Sequence, residues 1–193
     1  MLHSIVGLMN SGKTLYMTYL LYKDFLAGKS IFTNYDVNFT HNKINRDFLF
    51  YLGQKNYTFD NISMGLDELW ILLDSRKSME NTTSTYFFNQ SSKDDSRIYF
   101  TSQHNKQNDS RLRDNLHKIS VCNRCILING KFKLIDSEER FLDKKYIDIL
   151  YIQITEYKRI NYYGTSDLIA SKRHYLKAKP LFNLFNTRQK IRR

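Results

Sequence analysis

Proline is nearly missing from these 193 residues: there is one, Pro180, alongside only seven glycines. So little linker material argues against loosely joined modules, and the chain reads as one continuous domain. There is no internal repeat and no low-complexity tract, which excludes a solenoid. Two cysteines cannot build a disulfide framework, so a reducing, intracellular setting is expected. No run of 18 apolar residues exists, so no transmembrane helix is expected. The opening MLHSIVGLMNSGKT has neither a basic start nor a small-residue cleavage site and does not read as a secretory leader. Acidic residues are also scarce, 19 against 30 Lys and Arg, for a net charge of +11. Such a balance points to a polyanionic partner, nucleic acid first and an anionic membrane surface second. What is present is a folding composition: 41% apolar and 25% charged residues.

The positive charge is concentrated late. Residues 1–60 carry a net +2 and residues 61–120 a net zero, whereas residues 121–193 hold 16 basic and 7 acidic side chains, a net +9. That last third is a solvated surface or a phosphate-contacting face.

Leu2 to Leu8 is a short apolar run ending beside a glycine and reads as a buried strand. From Lys13 to Ala27 apolar residues recur at helical spacing, and Gly28 can cap the helix. Ser30 to Val37, Ile62 to Leu66 and Arg97 to Ser102 read as further strands. A helical turn is expected around Arg46 to Leu52, a helix or turn at Leu69 to Leu73 and a helix at Asn81 to Gln90. Beyond these, Lys118 to Ile128, Phe132 to Ile135, Ile147 to Tyr157 and Tyr175 to Leu184 are strand-like, and Asn129-Gly130 is a hairpin signal. Strands alternating with helices predict an α/β fold with a mainly parallel sheet, and the later strands predict extra, partly antiparallel ones at one edge. Residues 1–118 form the expected core and 119–193 a basic, strand-rich extension packed on the same domain.

The strongest motif is Gly7-Leu-Met-Asn10-Ser11-Gly12-Lys13-Thr14, which fits G-x-x-x-x-G-K-[ST] between a strand and a helix. The glycines allow a tight loop whose N–H groups point inward at phosphate oxygens, and the following helix aims its positive end at the same place. Lys13 supplies a mobile charge to the β- and γ-phosphates, and Thr14 offers a hydroxyl to Mg²⁺. Gly7, Asn10, Ser11, Gly12, Lys13 and Thr14 are therefore the expected ATP-binding residues.

The apolar strand-like run Ile62-Ser-Met-Gly-Leu ends in Asp67-Glu68, which delivers two carboxylates to the sheet edge where ligands bind in open α/β sheets. Asp67 is the expected Mg²⁺ residue, and Glu68 is placed to deprotonate an attacking water. Two acids favour hydrolysis over transfer to a small molecule. The next strand ends Thr101-Ser102-Gln103, so in a parallel sheet Gln103 lands beside the γ-phosphate. Arg111 and Arg113, two apart in an extended segment, would face the same way and suit a developing phosphoryl charge. Arg76 is a third candidate.

Weaker signals have plain readings. Cys122 and Cys125 have the CxxC spacing but no second ligand pair, so two cysteines in a buried strand are expected. The 14 tyrosines and 13 phenylalanines, interleaved with Lys158 and Arg159 near the end, read first as core and edge-strand residues and second as base-stacking groups. Trp70 is expected in the core. Residues 187–193 form a basic tail.

The order of these elements resembles one family. The phosphate loop, Asp67-Glu68, the Thr-Ser-Gln strand end and Arg111-Leu-Arg113 look like the small viral and phage ATPases of the FtsK/HerA superfamily. These are genome-packaging ATPases and the related Zot-type phage assembly proteins. The resemblance covers roughly residues 1–118. It implies an ATPase with a P-loop NTPase fold, Glu68 as catalytic base, Gln103 as sensor, and Arg111 or Arg113 acting across a subunit boundary. It also implies a homo-oligomeric ring, expected to be a hexamer, working on double-stranded DNA and meeting capsid or portal-vertex proteins. Such a protein would work in the host cytoplasm and, transiently, at the assembling virion. Zot-type proteins usually carry a membrane span, which tilts the expectation toward packaging. One basic position after Gln90 is missing, leaving only Lys93. A P-loop nucleotide kinase and a nucleotide-gated assembly scaffold are the competing classes. The first would need an arginine-rich lid that residues before 120 lack, and Asp67-Glu68 argues against the second.

Overall fold

The computed structural model describes residues 1–54, 60–73, 78–91, 95–104, 108–135, 148–162 and 165–185. Arg76, Lys93 and the basic tail lie outside the described residues.

The chain begins with β1 (Leu2–Val6), the phosphate loop and α1 (Lys13–Leu26), then β2 (Ser30–Thr33), β3 (Asn42–Lys43) and α2 (Arg46–Gln54). After these come β4 (Ile62–Leu66), α3 (Leu69–Leu72), α4 (Ser78–Ser91), β5 (Arg97–Ser102) and α5 (Ser110–Asp114). The rest is β6 (Lys118–Ile128), β7 (Lys131–Leu134), β8 (Leu150–Tyr162), β9 (Thr165–Lys177) and a 3-10 helix at Lys179–Leu184. All nine strands among the described residues join one sheet in the order β3-β2-β4-β5-β1-β6-β8-β9, with β7 paired to β6. From β3 to β6 every pairing is parallel, whereas β7, β8 and β9 join antiparallel. The chain leaves β1 toward β2 on one side and returns to β6 on the other, so β1 sits at the point where the strand order reverses. In such sheets ligands bind beyond the carboxyl ends of the strands at this point.

Alternation along each strand splits the core in two. Leu2, Met64, Leu66 and Phe100 face one side, where Leu49 and Leu52 of α2, Phe87 and Phe88 of α4 and Leu112 of α5 cover them. Ile5, Ile31 and Tyr99 face the other, under Leu15, Tyr16 and Leu21 of α1. Each fully buried side chain of this size contributes about 1.5–3 kcal/mol. Ile152 and Ile154 of β8 belong to the α1 side, so the late strands build the same core as the early ones.

Helix α1 ends as its sequence suggests. Gly28 has φ 84°, and the N–H groups of Gly28 and Lys29 close on the carbonyls of Phe25 and Asp24 at 3.0 Å. Near that end Asp24 is buried and accepts from Arg97 Nη1 at 2.5 Å, Ser63 Oγ at 2.6 Å and Tyr99 Oη at 2.8 Å. This knot ties the base of α1 to β4 and β5. Between knot and loop, Leu21 lies on Gly65 so closely that a Cβ there would collide with its Cδ1.

Three local expectations change. The run Tyr175–Leu184 is not one strand: β9 stops at Lys177 and the 3-10 helix follows, because Pro180 at its start cannot donate to a ladder. The strand at Ser30 stops at Thr33, and Val37 makes only an isolated bridge to Phe185. The strand expected to end at Tyr157 runs on to Tyr162 as β8, and the one expected to begin at Tyr175 begins at Thr165 as β9. The hairpin at Asn129-Gly130 forms as expected, with φ of 50° and 75°.

Candidate active site

The phosphate loop is held open by its glycines. A Cβ on Gly7 would meet the Cys122 carbonyl oxygen at 2.5 Å, and one on Gly12 would meet Ile152 Cδ1 at 2.8 Å. Gly12 also has φ 92°, a left-handed conformation that side chains resist. Asn10 is left-handed too, at φ 61°. Ser11 closes the turn from its N–H to the Leu8 carbonyl at 3.1 Å. Its buried hydroxyl has no hydrogen-bond partner among the described residues. Lys13, only 5% exposed, folds back to donate to the Leu8 carbonyl at 3.0 Å and stands 4.0 Å from Glu68.

The acidic pair meets the loop through one oxygen. Oδ1 of Asp67 accepts from Thr14 Oγ1 at 2.8 Å and from Thr101 Oγ1 at 2.7 Å. The same Thr101 hydroxyl accepts from the Glu68 N–H at 2.8 Å. Strand β5 lies between β1 and β4, with Val6 opposite Ser102 and Leu66 opposite Phe100, so Thr101 falls between loop and acidic pair. Asn34, just past β2, secures Asp67 from the other side: its Nδ2 donates to the Asp67 carbonyl at 2.9 Å and its Oδ1 accepts the Asp67 N–H at 2.7 Å. Burial pushes the Asp67 carboxyl above the usual range, against the hydrogen bonds from Thr101 and Thr14.

Glu68 adopts φ 49°, costly for a residue with a side chain. Its carboxylate accepts from Trp70 Nε1 at 2.6 Å. Trp70, expected in the core, is instead 37% exposed at the site rim, because its indole N–H pairs with this carboxylate. Gln103 follows the end of β5 and is half-buried; since Val6 and Ser102 are register partners, Gly7 and Gln103 leave the sheet side by side.

The two arginines do not face the same way. They lie on a helix, α5, where residues two apart diverge, because Asp109 caps it by accepting from the Arg111 N–H at 3.0 Å. Arg111 Nε and Nη2 clamp Asp109 at 3.0 and 2.8 Å, and Nη1 donates to Thr82 Oγ1 at 2.7 Å. This clamp holds the Asp109 carboxyl below its usual range. Arg113 Nε is buried with no hydrogen-bond partner among the described residues.

The donor set fits a magnesium–nucleotide complex. Mg²⁺ takes few protein oxygens and leaves the rest of its shell to phosphate and water. Thr14 and Asp67 supply two oxygens within hydrogen-bond distance, and the unpartnered Ser11 hydroxyl lies in the loop that would receive phosphate. No cluster of three or more His, Cys, Asp or Glu that could hold a metal occurs among the described residues. Beside the loop, a cavity of about 290 Å³ opens between Leu8, Met9, Asn123 and Leu134. Cys122 and Cys125 are buried in β6, and burial pushes their thiols up to about 12 and about 11.

Sequence reasoning passed over Asn34 and gave Thr101 no role of its own. Thr101 stands in the same short strand end as Gln103, and Asn34 ends the apolar β2 run just as Asp67 ends β4. That parallel was the available signal. No helix among the described residues is long and apolar enough to cross a membrane.

No protein-family model matches the sequence, and no curated protein matches it. Among solved structures the chain is similar to the N-terminal domain of zonular occludens toxin from Neisseria meningitidis. The likeness has a TM-score of 0.59 at 14% identity and covers 96% of this chain and 98% of that one. At that identity the likeness speaks for the fold alone, and the fold is the mixed α/β arrangement of a P-loop NTPase, its mostly parallel sheet extended by antiparallel strands.

Proposed function

We propose that this chain is an ATP-hydrolysing motor that packages viral genomic DNA. The observation that supports it most is the single Asp67 oxygen shared by Thr14 and Thr101, with Glu68 tied to the same threonine. In this reading the loop N–H groups and Lys13 hold the triphosphate. Thr14 and Asp67 hold Mg²⁺, which when bound neutralises phosphate charge. Glu68 takes the proton of the attacking water. Gln103, leaving the sheet beside Gly7, orients that water. Because Arg111 is committed to Asp109 and Thr82, Arg113 is the better candidate to reach a neighbour's phosphates in a ring, expected to be hexameric. The net +9 of residues 121–193 supplies the DNA contact.

Steady-state ATP hydrolysis with and without DNA tests the proposal. Glu68→Gln should cut turnover at least about 100-fold while nucleotide binding persists. Unchanged turnover removes the base assignment, and a wild-type chain that never hydrolyses ATP removes the motor.

The fold neighbour favours a second reading, a Zot-type assembly ATPase that drives DNA out during phage release. That neighbour is itself an N-terminal domain, so the lack of an apolar span here does not separate the two readings. Identification of the bound partner in infected cells, a capsid vertex or a membrane assembly site, does separate them.

A further inference from the structure

The late strands carry an aromatic cluster on the surface that the ATP site does not use. Phe132 of β7 and Tyr175 of β9 stack face to face, with ring centres 3.8 Å apart and planes within 4°. Tyr151 of β8 sets its edge to Phe132 at 5.2 Å, and Gln153 Nε2 donates to the Tyr175 hydroxyl at 3.1 Å. Yet Phe132 remains 40% exposed and Tyr175 36% exposed. Along β9, Arg173 and Lys177 flank Tyr175 at two-residue spacing, which puts them on its face of the sheet and about 13 Å apart. Register agrees: Lys177 pairs with Tyr151, Tyr175 with Gln153 and Arg173 with Thr155. The opposite face of β8 and β9, with Ile152, Ile154 and Leu176, is the one packed on the α1 core.

On the face of Tyr175 the described cations are Arg173 and Lys177, and neither is in a salt bridge with a carboxylate among the described residues, although Lys177 helps to lower the Asp148 carboxyl. Of the carboxylates on these strands and just before β8, Glu156 and Asp148 are engaged by Lys118 and Lys179, and Asp167 lies near the start of β9, away from Tyr175.

We infer that this face binds single-stranded DNA, with unpaired bases stacking on the Tyr175–Phe132 platform while Arg173 and Lys177 take the flanking phosphates. Exposed rings flanked by two cations that form no salt bridge match a ligand that is flat and apolar at its bases and anionic along its backbone. A duplex hides its base faces and would leave the rings unused. A second copy of this face would bring like charges together. The inference rests on the DNA-motor reading and specifies the strand state of its partner.

The test uses the full chain and a labelled oligothymidine, with a duplex of equal length as comparison, followed by fluorescence anisotropy across a salt series. The single strand should bind at least about 10-fold tighter than the duplex at equal salt. Tyr175→Ala should weaken single-strand binding about 5- to 100-fold. Arg173→Gln and Lys177→Gln should each lower the salt slope by about 0.7. If Tyr175→Ala does not fold, photocrosslinking of bromodeoxyuridine DNA to the wild-type chain decides, with Phe132, Tyr151 or Tyr175 as the expected attachment. Duplex binding as tight as single-strand binding, attachment elsewhere, or a Tyr175→Ala chain that binds DNA normally overturns the inference. So does a Tyr175→Ala chain that changes only its sedimentation mass, which would mark a self-association face. ATP hydrolysis by the wild-type chain without DNA is measured in parallel, so failure of this face is distinguishable from failure of the motor.

Discussion

Thr14 donates to the Asp67 carboxylate at 2.8 Å across 53 residues of chain, and the oxygen it uses is the one that also takes the Thr101 hydroxyl. The phosphate loop, the acidic strand end and the strand between them are thus joined at one atom. A displacement of any of the three is felt by the other two.

Thr101 is the central member of that joint, since its hydroxyl both accepts and donates. Thr101→Val keeps the shape and removes both bonds. The Glu68 N–H loses its partner, and Asp67 loses one of two donors. The expected cost is about 1–3 kcal/mol of stability, read as a lowered thermal midpoint. Turnover should fall about 10-fold or more, because Glu68 is no longer held in its left-handed conformation. A variant with wild-type turnover would show that the joint is structural only.

Gly65 is fixed by packing and not by backbone conformation. Gly65→Ala forces a methyl into Leu21 and should destabilise the chain by about 1–3 kcal/mol. Leu21→Ala in the same chain makes room, so the double variant should lose less than the sum of the single changes. Additive losses in denaturant unfolding would show that Leu21 is not the obstacle.

Asp67 carries a cost in the nucleotide-free protein. Burial raises its carboxyl pKa above the unfolded value, so its contribution to stability falls as pH rises through the window above the unfolded value of 3.8. At neutral pH the charged group is therefore a net burden. Asp67→Asn should raise the thermal midpoint without Mg²⁺ and ATP while abolishing turnover. A lower midpoint would mean that the two threonine bonds outweigh burial.

His3 works with the opposite sign. It is buried on β1, bonded to Ser120 Oγ at 2.8 Å, and burial pushes its pKa down to about 3 from 6.5. The unfolded chain therefore binds a proton that the folded chain refuses between about 3 and 6.5. His3 contributes fully above pH 6.5, and stability is lost as pH falls below it, by up to about 1.4 kcal/mol per unit. His174 nearby is also lowered by burial and adds to this trend. Unfolding midpoints measured from pH 7 to 4.5 should drop steadily, and less steeply in His3→Gln. Parallel slopes in the two chains would remove His3 as the cause.

Much of the site was legible because its chemistry is contiguous. The loop needs glycine at Gly7 and Gly12, a cation at Lys13 and a hydroxyl at Thr14 within eight residues, and a strand that ends in Asp67-Glu68 announces itself by hydrophobicity alone. The arginines misled because an extended reading of Asp109 to Arg113 ignored the helix cap that Asp109 supplies. Trp70 misled because its size suggested the core, whereas its N–H found a carboxylate two residues away.

By itself the sequence determined the local pieces: the strand–loop–helix, the acidic strand end, the Asn129-Gly130 turn and the basic last third. These follow from backbone freedom, hydrophobic period and charge between near neighbours. Only the tertiary structure decided that β5 slides between β1 and β4, that Asn34 and Thr101 clamp Asp67, and that Phe132 meets Tyr175. Those contacts join residues from 33 to 96 positions apart, and they are set by sheet register and by which faces bury together.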